Sequence, residues 1–491
     1  VAHGANPFVS KVVWAPTGYS VAWATSVPLP SLVAAPVTLA FGPVAAFNLL
    51  SIVAAPLSAW TAYLLCRRLT SAFLPSLAGG FVFGFSPHLI TTLSLGHLDL
   101  SLAFLVPVAV YLVVRRLEGS MAPRRFVVLL AVVLFAQFGI FPEIAATLTL
   151  MSGLALLLGI AAAPRSRGLL IRTGGWIALS YCMAGLLVSP YLYALVTYPH
   201  PSRPLHPASD LAFFAQNWNV TARFVVPGGA QALGGGRLLR GSIQGNGAYF
   251  GIPLLAIMGH FFVTRWRRPL TKVLAFTFLA AVLVSLGPAI RVAGHVVPLP
   301  WRAVEILPLF KRAIPGRVIL YAYLIAAVVL AKWVADRPRW TRWAPAVLAV
   351  LLLLPDTSPA IWSARVDTPA FFTSGQCQRY LSPGETVLVI GNRKGAQMLW
   401  QAESNMRFRL VGGYLGGVPP DYGGVGVLRR IPSGGSSPAV LRAFLTAHHV
   451  RAVIVFGHEV PLHLDQAVRV KPRYLGGILL FRLPAQAPGG R

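Results

Sequence analysis

The chain has 491 residues, 56% of them hydrophobic and only 11% charged, and its mean hydropathy is +0.67. That balance excludes an ordinary soluble domain and places the chain among multi-spanning membrane proteins. A formal net charge of +29 would suggest nucleic acid in a soluble protein, but much of the excess sits in tight clusters beside apolar runs, where it sets orientation, so no nucleic-acid partner is expected.

The chain opens on Val1, and its first 45 residues show no signal-peptide pattern; a further helix is expected upstream. Residues 28–43 are apolar, short and punctuated by proline, which predicts an interfacial or re-entrant helix and leaves residues 1–27 on the outer face. Uncharged runs then predict about ten spans, near 46–66, 73–91, 100–114, 126–141, 144–163, 173–195, 247–264, 273–289, 317–334 and 343–356. Arginine clusters fall at every second gap: Arg67/Arg68, Arg115/Arg116 with Arg124/Arg125, Arg165/Arg167/Arg172, Arg265/Arg267/Arg268, and Arg337/Arg339/Arg342. That side is cytoplasmic by the positive-inside bias. The other face carries two short gaps and two long loops, 196–246 and 290–316.

From about residue 360 the composition changes to charges of both signs, Gly-rich turns, strand-like runs at Thr386–Ile390, Arg451–Phe456 and Gly477–Phe481, and helical spacing over Ala439–His448. The expected fold is mainly α: a polytopic transmembrane helix bundle spanning 46–358, preceded by the outer segment 1–45 and followed by a small extracytoplasmic α/β domain, 360–491. No internal repeat is visible, which weakens an inverted-repeat transporter. Cys66, Cys182 and Cys377 are too few and too scattered for a disulfide framework or a metal site.

Only 13 carboxylates occur in the chain, so those at the outer surface carry weight: Asp99, Glu143, Asp210 and Glu305. In Gly96-His97-Leu98-Asp99, an imidazole and a carboxylate two residues apart could share a proton, hold a divalent cation or bind sugar hydroxyls; the bland alternative is a helix cap. Glu143 follows Pro142 between two spans, so it is either a first-turn carboxylate favoured by the helix dipole or paired within the bundle. On the same face Arg302, Lys311, Arg312 and Arg317 could hold a lipid-linked phosphate, or simply contact lipid headgroups or pair with carboxylates. Trp218, Trp301 and Tyr249 could stack on sugar rings or simply populate the interface.

The blocks Gly4-Ala5-Asn6-Pro7-Phe8, Pro16-Thr17-Gly18, Phe41-Gly42-Pro43, Phe85-Ser86-Pro87 with Gly96-His97, Tyr249 to Leu254, and Leu307-Pro308-Leu309-Phe310 with Pro315-Gly316-Arg317 resemble bacterial membrane proteins of the GT-C glycosyltransferase superfamily, including YfhO-like members. The resemblance implies a plasma-membrane enzyme that moves a sugar from a polyprenyl-phosphate donor to a cell-envelope acceptor. It further implies inversion by base-assisted or metal-assisted attack; whether a metal takes part is unknown, and a divalent cation such as Mg or Mn could be held by Asp99 and His97. The family's acidic catalytic residue normally lies in the first outer loop, yet residues 1–45 hold no Asp or Glu: either that segment lies upstream of Val1 or the chain is not catalytic, so the general base is unassigned and Asp99 and Glu143 are candidates by position alone. A lipid-linked-glycan flippase and a non-catalytic envelope-assembly protein are the alternatives.

Overall fold

The computed structural model describes residues 6–24, 26–198, 247–292, 295–307, 310, 313–336, 340–363, 367–391, 396–415, 418–420, 422–423, 425–431, 435–457 and 460–484. These residues are mostly helical. They fall into two units: one drawn from Val27–Ser189 and Ala208–Ala364, the other from Val1–Ser26, Pro190–Pro207 and Arg365–Arg491.

The first unit is built from α1 (Pro28–Val33), α2 (Ala35–Thr70), α3 (Phe73–Gly84), α4 (Pro87–Ser94), α5 (Leu98–Ser101), α6 (Leu105–Leu117), α7 (Pro123–Ile140), α8 (Pro142–Ala162), α9 (Arg167–Thr197, as far as Ser189), α10 (Ile252–Thr264), α11 (Pro269–Ser285), α12 (Ile319–Ala335) and α13 (Trp340–Leu352). Among the described residues, six segments are long and apolar enough to cross a bilayer: Ala35–Thr70, Leu98–Leu117, Pro123–Ile140, Pro142–Ala162, Pro164–Thr197 and Pro315–Ala335. The pair α3 and α4, bent by 41°, makes a seventh. Three further apolar runs of the ten expected form shorter helices, α10, α11 and α13, and two of these are trimmed locally. Gly251 at φ +77° and Gly287 at φ +97° stop α10 and α11 short of the apolar runs that contain them. Leu39, Leu186 and Val263 are at least three-quarters exposed, a surface suited to lipid and not to water. This is a multi-pass membrane protein.

Within residues 28–43 the helical path breaks at Gly42, whose φ of +86° only glycine adopts without strain, so the first turns of α2 are set off from the long span that follows. The centre of the unit is α12, fifteen of whose seventeen residues are buried. It packs on α3, where small residues let backbones approach closely. A Cβ on Gly79 would meet the Ala327 carbonyl oxygen at 2.7 Å, one on Gly80 would meet the Ala59 carbonyl oxygen at 2.7 Å, and one on Gly84 would collide with the Ala59 backbone. Gly84→Ala should therefore push α2 and α3 apart at a cost of about 1–3 kcal/mol, the usual range for overpacking. Gly185→Ala, with nothing within 4 Å, is the control. Thermal unfolding in detergent reads the difference; equal midpoints for the two variants would refute the close approach.

The two ends of the bundle differ in charge. Arg68 pairs with Glu118 at 2.7 Å, Arg265 with Asp336 at 2.6 Å, and Lys332 Nζ donates to the Leu69 carbonyl at 3.3 Å, tying together the C-terminal ends of α2, α6, α10 and α12. Because successive helices reverse direction, α4, α5, the α7–α8 turn and the start of α12 gather at the opposite end.

The second unit holds a five-stranded sheet of β1 (Glu385–Ile390), β2 (Phe408–Leu410), β3 (Ala452–Phe456), β4 (Arg473–Leu475) and β5 (Ile478–Arg482), in the order β2-β1-β3-β5-β4. β1 runs parallel to β2 and β3, while β5 is antiparallel to β3 and β4, with Val387 opposite Ala452 and Val453 opposite Phe481. Central β3 is apolar along its whole length, as a strand covered on both faces must be. Phe371, Phe372, Trp400, Phe408 and Phe481 fill the core around it. The N-terminal segment guards the β2 edge: Leu410 N donates to Val12 O at 2.8 Å and Ala15 N to Leu410 O at 2.9 Å.

Candidate active site

Local sequence explains how the site is assembled at the end of the bundle away from the arginine clusters. Ser86 caps α4, its Oγ accepting from Leu89 N at 3.4 Å, and Pro87 occupies the first helical position, where its missing N–H costs nothing. The cap turns the chain so that His88, Thr91 and Thr92 face inward and are buried. After α4, Gly96 at φ +75° reverses the chain, and His97 N donates to Thr92 O at 2.9 Å. Asp99 then lies in the single turn of α5, buried, while the His97 side chain stays 39% exposed. His97 Nδ1 and Asp99 Oδ1 are 3.9 Å apart. The other carboxylate oxygen, Asp99 Oδ2, is buried with no hydrogen-bond partner among the described residues.

Glu143 enters from the first turn of α8. Its Oε1 accepts from Ile314 N at 3.1 Å, and its Oε2 pairs with Arg317 Nη1. Both partners are largely buried, and the Arg317 guanidinium carbon stands 5.7 Å from the centre of the Phe141 ring. Thr147 Oγ1 lies 2.8 Å from Tyr321 Oη, and that phenol donates to the Ile144 carbonyl at 3.1 Å, so α8 and α12 are fastened at two consecutive turns. Arg317 is within electrostatic reach of Asp99, His97 and His88 as well. His88, Thr91, Thr92, His97, Gly247 and Arg317 line a small pocket whose apolar wall is Leu95 and Leu100.

Four sequence candidates thus meet: His97, Asp99, Glu143 and Arg317. Glu143 has both oxygens engaged, which makes it the group that holds Arg317 and leaves Asp99 as the carboxylate with a free oxygen. Tyr249 is buried within the helices, its carbonyl accepting from Tyr323 Oη at 2.7 Å, and Trp301 packs edge-on against Phe310; neither ring lines the pocket. Arg302 is exposed and likewise off the pocket wall. Trp218, Asp210, Lys311 and Arg312 lie outside the described residues. Sequence reasoning missed His88, Thr91 and Gly247; a lone histidine inside an uncharged run was the available signal for the first.

A divalent cation fits this arrangement poorly. Among the described residues no three His, Cys, Asp or Glu side chains converge, and His97 shares its pocket with a guanidinium.

Residues 4–355 match the model of a family described as a domain of unknown function, DUF6311. Comparison with curated proteins gives no match. Among solved structures, the arabinofuranosyltransferase AftD from Mycobacteria is similar over 98% of this chain at 14% identity and a TM-score of 0.58, and an R1389S mutant of it at 12% and 0.54. The chain spans only 37% and 38% of those two proteins. The oligosaccharyltransferase AglB from Archaeoglobus fulgidus, solved with an inhibitory peptide and a dolichol-phosphate, is 12% identical over 93% of this chain and 64% of its own, with a TM-score of 0.46. The fold is similar to that of the arabinofuranosyltransferase AftD.

Proposed function

Since the chain belongs to the DUF6311 family and has a fold similar to that of AftD, we propose that it is an integral membrane glycosyltransferase that moves a sugar from a polyprenyl-phosphate donor to an acceptor outside the cytoplasm. The observation that carries this reading is the buried Asp99 with one unpartnered oxygen, 3.9 Å from His97, which lines a pocket together with a guanidinium that Glu143 fixes in place. Asp99 is the base. It takes the proton of the acceptor hydroxyl as that oxygen attacks the anomeric carbon, and the sugar–phosphate bond breaks on the opposite side with inversion. Arg317 gives Nη1 to Glu143 and keeps the rest of its planar fork for the oxygens of the departing polyprenyl phosphate.

Counting the bent pair and the three shorter apolar helices of the bundle gives ten crossings. In this topology the arginine-rich end faces the cytoplasm of a bacterium, and the Asp99 end, the loops 196–246 and 290–316, and residues 360–491 lie outside. Membrane lipids, the lipid-linked sugar and a cell-envelope glycan are the partners.

The test is a purified protein in lipid nanodiscs given a radiolabelled polyprenyl-phosphate sugar. Release of polyprenyl phosphate together with label on an added glycan acceptor is expected. Movement of unaltered lipid across reconstituted vesicles, with no release, would replace this reading with a flippase; neither activity would leave a scaffold.

A further inference from the structure

Resting on Asp99 as the base, we infer that His97 is the proton exit of the site, carrying the acceptor's proton from the buried Asp99 carboxyl to water. The argument is one of placement. Asp99 has a side chain only 7% exposed, so a proton that lands on it has no direct path to solvent. His97 lines the pocket beside Asp99, is 39% exposed, and puts Nδ1 3.9 Å from Asp99 Oδ1, a gap that a small ring rotation closes. No other titratable side chain of the pocket is so exposed: His88 is buried, and Arg317 is permanently charged and held by Glu143.

The backbone fixes the ring at this mouth. Gly96 turns the chain at φ +75°, and the His97 carbonyl accepts from Ser101 Oγ at 2.8 Å and Ser101 N at 3.1 Å, so the residue cannot drift along the wall. Burial lowers the proton affinity of the ring below the ordinary imidazole value, the Asp99 charge opposes that, and the Arg317 charge adds to it. Glu143 on α8 is neutralised by Arg317 and His88 on α4 is the remaining titratable neighbour.

The step balances without a co-reactant. The acceptor O–H proton passes to an Asp99 oxygen as the new C–O bond forms. Asp99 then returns to carboxylate by giving that proton to Nδ1 of neutral His97, and the imidazolium loses the Nε2 proton to bulk water.

His97→Ala measured beside the wild type tests this. The expected result is a fall in kcat of about 10²-fold, the low end for a proton-transfer residue, with the donor KM unchanged and turnover partly restored by added imidazole. His97→Gln, which keeps the volume, should lose the same factor and respond less to imidazole. Wild-type kcat in both variants overturns the relay, as does a loss that imidazole leaves untouched while the donor KM rises, since that is the signature of a structural role. In either case Asp99 and the transferase reading survive on wild-type turnover; a wild-type protein that turns nothing over removes both.

Discussion

Asp99→Asn is expected to fold and insert as the native chain does while losing sugar transfer by about 10²- to 10⁴-fold, the range a positioned general base supplies. The residue gives the fold little. Its Oδ2 is buried without a partner among the described residues, and His97 Nδ1 sits 3.9 Å from its Oδ1, too far for a hydrogen bond. An isosteric amide removes an imperfectly compensated buried charge and keeps the shape, so thermal stability should hold or rise, as it does where a site trades stability for activity. The helix-cap alternative separates cleanly from this, because asparagine caps about as well as aspartate and a mere cap would leave turnover intact. Native-rate transfer by the Asn variant, or a marked drop in its unfolding midpoint, would remove Asp99 from the mechanism.

How far these residues could be read in advance depends on the physics of each. Long apolar runs bounded by arginine are a one-dimensional signal, so the multi-pass bundle was visible; the positive-φ glycines at 251 and 287 that trim two of those runs leave no such trace. In the second unit, β1, β3 and β5 coincide with apolar runs. Strands β2 and β4 are three residues long and each contains an arginine, Arg409 and Arg473, so no run announces them. At the site, Asp99 and His97 were legible because carboxylates are rare and the two are adjacent. The Glu143–Arg317 pair, 174 residues apart in sequence, is made by helix packing alone. His88 was hidden in an apolar span whose other members are packing residues.

That long-range pair supports the second large prediction. Glu143 and Arg317 are both mostly buried, and each satisfies the other: Glu143 also takes the Ile314 amide, and Arg317 leans on the Phe141 ring. Removing either charge strands its partner in a low-dielectric interior, so Glu143→Leu and Arg317→Met should each cost about 3–5 kcal/mol. The double variant should recover part of that loss, because two apolar side chains of similar volume strand no charge at the pair itself while Asp99 loses the Arg317 charge within its reach, and the coupling read from a double-mutant cycle should be favourable. Activity should divide differently. If Arg317 receives the departing phosphate, the restabilised double variant stays as inactive as Arg317→Met, while Glu143→Gln, which keeps an acceptor for Ile314 and loosens Arg317 without deleting it, retains turnover with a raised donor KM. Unfolding midpoints and transfer rates measured on the same four proteins decide the matter: a double variant that regains activity along with stability would show the guanidinium to be only a strut between α8 and α12.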